Sequence, residues 1–187
     1  MNLYEIREKA LKSGRAVFSV QQLANLISSS KLTAKVYASR LVHKKLARRL
    51  IRGKIAFTNE DYVVATQLIE PSYISLYSAL LMHQLIQQVP ANIECVTPKL
   101  TRRLPGVGVN YHRIPSSLFF GFERVKVDRD YYFLATPEKA LIDGLYLRAY
   151  SISTAAELMK KINRKRFIQL LNTIPDKTRK RIERELK

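Results

Sequence analysis

Residues 19–58 run SVQQLANLISSSKLTAKVYASRLVHKKLARRLIRGKIAFT, and this stretch decides the expected fold. Ser19 and Gln22 have the spacing of a capping box, in which each side chain bonds the backbone N–H of the other residue. Apolar residues then recur at helical spacing. Three serines interrupt the pattern, and Thr33 is expected to begin a second helix. The segment therefore predicts two helices joined by a short turn.

Two short strands are expected between Leu46 and Phe57, around the turn Arg52-Gly53-Lys54. A short helix, a turn, a second helix and a basic hairpin are typical of a winged helix-turn-helix. In such a domain the second helix enters the major groove of DNA, and we expect the hairpin to lie along the phosphate backbone. We therefore predict a DNA-binding domain over residues 1–66, with a first helix over 2–12 and a strand near Val17 that joins the hairpin.

The exposed side of the second helix is the expected base-reading surface, with phosphate contacts at the helix ends and at the hairpin tip. Tyr37 is ambiguous, because it also belongs to the apolar stripe and can be half buried instead. The predicted DNA-contacting residues in this domain are Lys31, Thr33, Lys35, Tyr37, Ser39, Arg40, Lys44, Arg52 and Lys54.

The charge distribution agrees with a nucleic-acid partner. The chain carries 33 Lys+Arg and 15 Asp+Glu, hence +18, and the positive charge is concentrated at its two ends. Residues 1–65 carry 13 basic and 4 acidic residues (+9), residues 66–159 carry 9 and 8 (+1), and residues 160–187 carry 11 and 3 (+8). Basic clusters of this kind contact phosphates. The last cluster, with Lys165 and Arg166, is interpreted as a further DNA contact; a protein partner with an acidic surface or a solvated helix face are the alternatives.

Composition is that of an ordinary globular protein, with 47% hydrophobic and 26% charged residues. The amino terminus has no signal-peptide pattern, and the longest apolar stretch, residues 73–86, is too short to span a bilayer. We therefore expect a cytoplasmic protein with no membrane partner. Cys95 is expected to be buried and unreactive.

Residues 67–187 are predicted to form a second, α+β domain with a mainly antiparallel sheet and a helical carboxy terminus. Residues 62–65 are a possible extra strand before it, and residues 73–86 are predicted to be a central helix. The expected strands are 93–97, 107–114, 119–127 and 131–135, separated by turn residues. Thr136-Pro137-Glu138 is a helix start. Thr154 is expected to cap the next helix, and short helices are predicted over 164–172 and 176–186.

Two motifs of this domain resemble the AbiEi-type antitoxin family. The first is EPSYIS at 70–75, followed by SAL at 78–80, His83, QVP at 88–90 and the strand 93–97; the second is ATPEKALID at 135–143. Family members usually have a winged helix ahead of this domain. Lys45 and Gln84 depart from the family pattern, because a glycine is expected at each position.

The resemblance implies an antitoxin of a type IV toxin–antitoxin pair. Such a protein represses its own operon through the winged helix, at an operator expected to contain inverted repeats. It also opposes a nucleotidyltransferase-like toxin.

No constellation of catalytic residues is evident in the sequence. His43, His83 and His112 lack acidic or cysteine neighbours at metal-ligand spacing, and Gly106-x-Gly108 lacks the rest of a dinucleotide loop. Glu138 is interpreted as compensating a helix dipole and Asp143 as a partner for a lysine or arginine. We expect no enzymatic activity, no cofactor and no metal.

Three function classes remain. The first is a DNA-binding autorepressor and antitoxin, and the second is a winged-helix regulator whose second domain senses a ligand or dimerises. The third, an RNA-binding protein, is disfavoured because Tyr111, Phe119, Phe120 and Phe122 are more simply core residues than a base-stacking platform. A neighbouring nucleotidyltransferase-like gene would favour the first class over the second.

Overall fold

The structure is a computed structural model that describes residues 1–186 of the 187-residue chain. It is a mixed α+β fold. The chain divides into two compact units. The first contains Met1–Glu70 and the hairpin segment Lys126–Tyr132, and the second contains Pro71–Val125 and the chain from Phe133 on. The predicted domain boundary after residue 66 stays a prediction.

The first unit consists of four helices and a three-stranded sheet. It also includes the segment 126–132. Its elements are α1 (Leu3–Lys12), β1 (Val17–Ser19), α2 (Val20–Leu26), α3 (Lys31–His43), β2 (Arg48–Ile51), β3 (Lys54–Ala56) and α4 (Asp61–Leu68). The strand order is β1-β3-β2, and both pairings are antiparallel. The predicted strand at Val17 and the predicted hairpin are thus confirmed.

Local hydrogen bonds explain where these helices begin. Asn2 with Glu5 forms a capping box, and Ser19 with Gln22 forms the predicted one. The prediction that Thr33 begins α3 is wrong by two residues, because the Ser30 side chain accepts a hydrogen bond from the Thr33 N–H at 3.1 Å and α3 begins at Lys31. Three consecutive serines offer several capping positions, and the sequence does not choose among them.

The core of the first unit lies between its helices and its sheet. Ile6, Leu23 and Leu41 are fully buried there, and the rings of Phe18 and Phe57 meet edge to face at 5.6 Å. The possible strand at residues 62–65 is wrong: they belong to α4, whose residues 63–68 are all buried. A short apolar run does not distinguish a buried strand from a buried helix.

The second unit is built around a six-stranded sheet. Its elements are β4 (Tyr73–Ile74), α5 (Leu76–Met82), β5 (Ile93–Thr97), β6 (Arg102–Leu104), β7 (Val109–Arg113), β8 (Phe122–Val127), β9 (Asp130–Ala135), α6 (Pro137–Leu147), α7 (Ile152–Lys161), α8 (Arg164–Asn172) and α9 (Asp176–Arg184). Short 3-10 turns occupy Pro105–Val107 and Ser116–Leu118. The tip of the β8–β9 hairpin is the segment assigned to the first unit.

The expectation of a mainly antiparallel sheet is confirmed only in part, because the sheet is mixed. The strand order is β6-β7-β5-β4-β9-β8, in which β5 pairs with β7 and β4 with β9 in parallel. After β5 the chain first forms the edge strand β6 and then returns as β7 between the two. That return makes β7 antiparallel to β6 and parallel to β5. Alternating hydrophobicity predicts strands but not their order.

Three further elements differ from expectation. The predicted helix 73–86 is instead the strand β4 followed by α5, since Tyr73 and Ile74 pair with β5. Strand β6 was not predicted. The helix predicted to be capped by Thr154 begins at Ile152, because the Ser151 side chain accepts from the Thr154 N–H. The helix start at Thr136 and the helix α8 are confirmed.

Candidate nucleic-acid interface

Helix α3 has one buried face and one broad exposed face. Ala34, Ala38 and Leu41 face the core, as their helical spacing requires. The predicted contact residues on the other side are exposed: Lys31, Thr33, Lys35, Ser39, Arg40 and Lys44. The local sequence thus presents a row of polar and cationic side chains on a helix that is anchored by small apolar ones.

A groove of about 710 Å³ lies between α3 and the β2–β3 hairpin, and we call it the α3–hairpin groove. Its cationic lining residues are Lys31, Lys35, Arg49, Arg52 and Lys54. Among the described residues, none that lines this groove is acidic. Lys31, Lys35, Arg49 and Arg52 make no ion pair within residues 1–186. A groove with several cations and no carboxylate is a positive surface without internal compensation.

The two cations at the hairpin tip differ in their surroundings. Arg52 is exposed, beside Gly53, whose φ of +79° suits a glycine in this tight turn. Lys54 is half-buried, and its ammonium donates a hydrogen bond to the Leu68 carbonyl at the end of α4. The structure therefore places the predicted residue Arg52 toward solvent, whereas Lys54 is partly committed to a contact inside the first unit.

A second depression lies along the other side of α3. Leu3, Ser39, Arg40, His43 and Lys44 line it. Arg40 and Lys44 are thus separated from Lys31 and Lys35 by the width of the helix. The predicted α3 residues consequently fall on two flanks of its exposed face.

Tyr37 is half-buried, as one of the two expectations had it. It packs against the core of the first unit. Its hydroxyl donates a hydrogen bond to the Met1 carbonyl at 3.2 Å. This hydrogen bond to the amino-terminal residue fixes the orientation of the phenol ring. A structural role therefore accounts for the position of Tyr37.

The carboxy-terminal end of α3 is fixed by backbone bonds that usually involve glycine. Lys45 has a φ of +55°, its N–H bonds the Val42 carbonyl, and the Leu46 N–H bonds the Leu41 carbonyl. These two bonds form a Schellman motif. Lys45 is one of the two positions at which the resemblance expects glycine, and the backbone there adopts the conformation that favours glycine.

The two predicted carboxy-terminal contacts also have different surroundings. Lys165 is exposed on α8. The guanidinium of Arg166 lies 3.3 Å from a carboxylate oxygen of Glu123 and 3.8 Å from one of Glu138. Glu138 is buried, and its other oxygen accepts a hydrogen bond from the N–H of Asn163, the cap of α8. A carboxylate therefore compensates the start of α8, and Arg166 has a structural role there.

Two other carboxy-terminal arginines also have partners within the second unit. Arg179 bonds Asp176 at 2.6 Å on α9. Arg181 donates to the Tyr146 carbonyl at 3.0 Å and lies over the Tyr146 ring. Arg166, Arg179 and Arg181, three of the cations in the last 28 residues, are thus engaged with the second unit itself.

A buried polar network lies at the centre of the second unit. Lys139 and Asp143 are fully buried and form an ion pair one helical turn apart on α6. Tyr73 and Ser75 donate hydrogen bonds to the same Asp143 carboxylate at 2.9 and 2.7 Å. Burial raises the pKa of Tyr73 and lowers that of Lys139, and the Asp143 carboxylate opposes the second shift. The network satisfies a charge that would otherwise be costly to bury.

This network joins the two motifs on which the family resemblance rests. Tyr73 and Ser75 belong to the first motif, and Asp143 ends the second. A second bond links them, because the His83 ring bonds the Ala135 carbonyl at 2.8 Å. Gln84, which follows it, has a φ of +59° and completes a Schellman motif at the end of α5. Both departures from the family's glycines therefore occupy left-handed backbone positions.

Other chemical candidates have simpler roles. Cys95 is fully buried, and burial raises the pKa of its thiol. His112 hydrogen-bonds Glu94 on the neighbouring strand. Within residues 1–186, no three His, Cys, Asp or Glu side chains are grouped so that they could hold a metal ion. No helix in that range is long and apolar enough to cross a bilayer.

The sequence matches no protein-family model, and no curated protein is significantly similar to it.

Sequence reasoning missed three residues of this surface. Arg49 on β2 lines the α3–hairpin groove, and Leu32 and Val36 are exposed on α3. Strand alternation around the predicted hairpin could have indicated Arg49. The positions of Leu32 and Val36, opposite Ala34 and Ala38 on the helix, could have indicated the other two.

Proposed function

We propose that this protein is a cytoplasmic, sequence-specific double-stranded DNA-binding repressor that uses its first unit as a winged helix-turn-helix. In this proposal α3 is the recognition helix and the β2–β3 hairpin is the wing. The observation that carries it is the α3–hairpin groove, where five cations and no described carboxylate surround one helix face. A duplex phosphate backbone supplies the negative charge that the groove lacks.

The geometry also divides the contacts by type. Lys31, Lys35 and Arg49 lie where α3 faces the hairpin, and Arg52 lies at the hairpin tip. These residues are proposed to contact phosphates. Ser39 lies one helical turn beyond Lys35 and Arg40 lies on the other flank of α3; both line the second depression and are proposed to contact base edges. Arginine pairs with guanine through two hydrogen bonds, which makes Arg40 the best candidate for reading one base pair.

We further propose that the protein is the antitoxin of a type IV toxin–antitoxin pair and represses its own operon. The support is the resemblance together with the buried network, in which Tyr73, Ser75 and Asp143 bring the two family motifs into contact. The glycine-favouring backbone at Lys45 and Gln84 agrees with the same pattern. A nucleotidyltransferase-like toxin is the proposed protein partner.

The DNA proposal is tested with the full-length protein and two fluorescent duplexes, its own upstream region and an unrelated sequence of equal length. At physiological salt we expect the upstream duplex to bind at least about 10³-fold more tightly. The variant Lys31→Ala/Lys35→Ala/Arg52→Ala should lower the salt slope for both duplexes by about three, because each of the three cations is proposed to neutralise one phosphate. Equal binding of the two duplexes, or an unchanged slope, would contradict the proposal.

The antitoxin proposal is tested separately, by expressing the adjacent gene alone and with this protein. Growth arrest by the neighbour and rescue by this protein are expected. An isolated gene, or a neighbour without toxicity, would favour a winged-helix regulator that has no toxin partner.

A further inference from the structure

The centre of the exposed face of α3 is apolar. Leu32 is 78% exposed and Val36 is 49% exposed, and they lie one helical turn apart, on the side of α3 opposite Ala34 and Ala38. Exposed aliphatic side chains occur singly on most surfaces. Leu32 and Val36, however, are neighbours on the exposed face of α3, which is the surface proposed to bind DNA. Their exposure is therefore more specific than that of a single aliphatic residue.

Cations lie on both sides of this apolar pair. Lys31 and Lys35 flank it toward the hairpin, and Arg40 and Lys44 flank it on the other side. A ligand that covers the pair must therefore present apolar groups in the middle and negative charge on both edges.

The major groove of DNA has this arrangement. Its floor displays the C5-methyl group of every thymine, and a phosphate strand borders each side. A second copy of this chain fits less well, because a symmetric contact through Leu32 and Val36 would bring Lys31 and Lys35 close to their own copies. Like charges placed together oppose such an association.

We propose that Leu32 and Val36 contact thymine methyl groups, so that the recognition sequence contains thymines at two positions read by α3. This inference rests on the proposed DNA-binding function and specifies which bases the same surface prefers. Four residues of an α-helix rise about 6 Å, and base pairs stack about 3.4 Å apart. The two thymines therefore lie one or two base-pair steps apart.

The same contact would distinguish DNA from RNA. Uracil lacks the C5-methyl group, so RNA of the same sequence leaves Leu32 and Val36 uncovered. The apolar pair thus gives a chemical reason for a DNA partner, in addition to the groove shape that admits an α-helix.

The test selects tight-binding duplexes for the full-length protein from a random library and then replaces individual thymines by deoxyuridine. This change removes one methyl group and keeps base pairing. Burying one such group contributes about 0.8 kcal/mol, so each of the two critical replacements should weaken binding about fourfold. Replacements elsewhere in the duplex should have no effect.

The protein variant Leu32→Ala/Val36→Ala should bind thymine and deoxyuridine duplexes equally, which would localise the methyl contact. Ile168→Ala is the matched control, because Ile168 is an exposed aliphatic residue on another helix, α8; it should retain the fourfold response. Circular dichroism on heating checks that each variant is folded.

The outcomes separate this inference from the proposal on which it rests. Salt-dependent, sequence-specific binding without any response to deoxyuridine overturns the inference and leaves the DNA-binding proposal standing. A library that yields no preferred sequence overturns both. If Leu32→Ala/Val36→Ala instead turns a dimer in solution into a monomer and leaves the deoxyuridine response intact, the pair is a contact between copies and the inference is wrong.

Discussion

Residues 1–65 and residues 160–187 carry net charges of +9 and +8, yet their cations have different neighbours. Near α3, Lys31, Lys35 and Arg52 line a groove in which none of the described lining residues carries a carboxylate. In the last helices, Arg166 and Arg179 are held by carboxylates of the second unit. Net charge alone therefore does not identify a binding surface. Charge without nearby compensation is the more informative property, and the α3–hairpin groove of the first region has it.

Lys139 extends this comparison to a cation that is fully buried. Replacing it by Met should destabilise the protein by about 3–5 kcal/mol, because the Asp143 carboxylate would remain buried without its cation. Urea unfolding measures the effect. Lys165→Met, at an exposed position on α8, is the control and should change the free energy of unfolding by less than about 0.5 kcal/mol. Equal stability of the two variants would show that the buried pair does not hold the second unit together.

Removing Lys35 and Arg40 together should have the next largest effect. The variant Lys35→Ala/Arg40→Ala lacks one proposed phosphate-binding cation and one proposed base-reading side chain, so affinity for the upstream duplex should fall about 100-fold. Fluorescence anisotropy measures this change. Lys99→Ala/Arg113→Ala removes two exposed cations from the second unit and should bind nearly as wild type does. If Lys35→Ala/Arg40→Ala binds the upstream duplex with wild-type affinity, α3 is not the recognition helix.

Arg52 and Lys54 sharpen the comparison within the hairpin. Arg52→Ala should reduce the salt slope by about one without changing base preference. Lys54→Ala should have a smaller effect on the slope, because the Lys54 ammonium already bonds the Leu68 carbonyl. Titrations at several salt concentrations distinguish the two. If base preference changes while the slope stays constant, the hairpin contacts bases and its assignment to phosphates is wrong.

Lys45 and Gln84 both have a left-handed backbone conformation, so replacing either by glycine should change the stability of the protein in the same direction. Lys45→Gly and Gln84→Gly should each stabilise the protein by up to about 1 kcal/mol, because glycine adopts a positive φ without steric cost. Lys44→Gly is the control, since Lys44 has a φ of −81° and gains no such relief. Thermal unfolding is the measurement. Destabilisation by both glycines would mean that the side chains of Lys45 and Gln84 make contacts that outweigh the backbone strain.

The smallest effect on DNA binding is expected in the carboxy-terminal cluster. Ile182 of α9 is fully buried, so point substitutions are preferable to truncation. Lys177→Ala/Lys180→Ala removes two exposed cations and should weaken binding of the upstream duplex two- to threefold, with a slightly flatter salt dependence. If binding is unchanged but toxin neutralisation in cells is abolished, these lysines belong to the surface that binds the toxin.

Local signals in the sequence predicted most elements of the first unit. The capping box of Ser19 and Gln22 involves residues three apart, and the hairpin turn is marked by Gly53. Such features are determined by neighbouring residues and can be inferred without the fold. The sequence of α4 lacked a comparable signal, because residues 63–65 are apolar without a helical or strand period.

Features that depend on distant residues were not predictable in this way. Strand β7 lies between β5 and β6, although β6 precedes it in the chain. Arg166 pairs with Glu123, which is 43 residues away in sequence. Lys54 bonds a carbonyl of α4. In all three cases the partner is determined by the tertiary fold. For Arg166 and Lys54, the sequence identified the cation but not the group that it contacts.

Acetylation of lysines in the full-length protein, with and without saturating upstream duplex, tests the central claim most directly. Mass spectrometry then gives a modification rate for each lysine. If the α3–hairpin groove binds DNA, acetylation of Lys31 and Lys35 slows strongly in the complex, whereas Lys9 and Lys99, exposed elsewhere, react at unchanged rates. Unchanged acetylation of Lys31 and Lys35 in a duplex-saturated sample would contradict the claim that this groove is the DNA-binding surface.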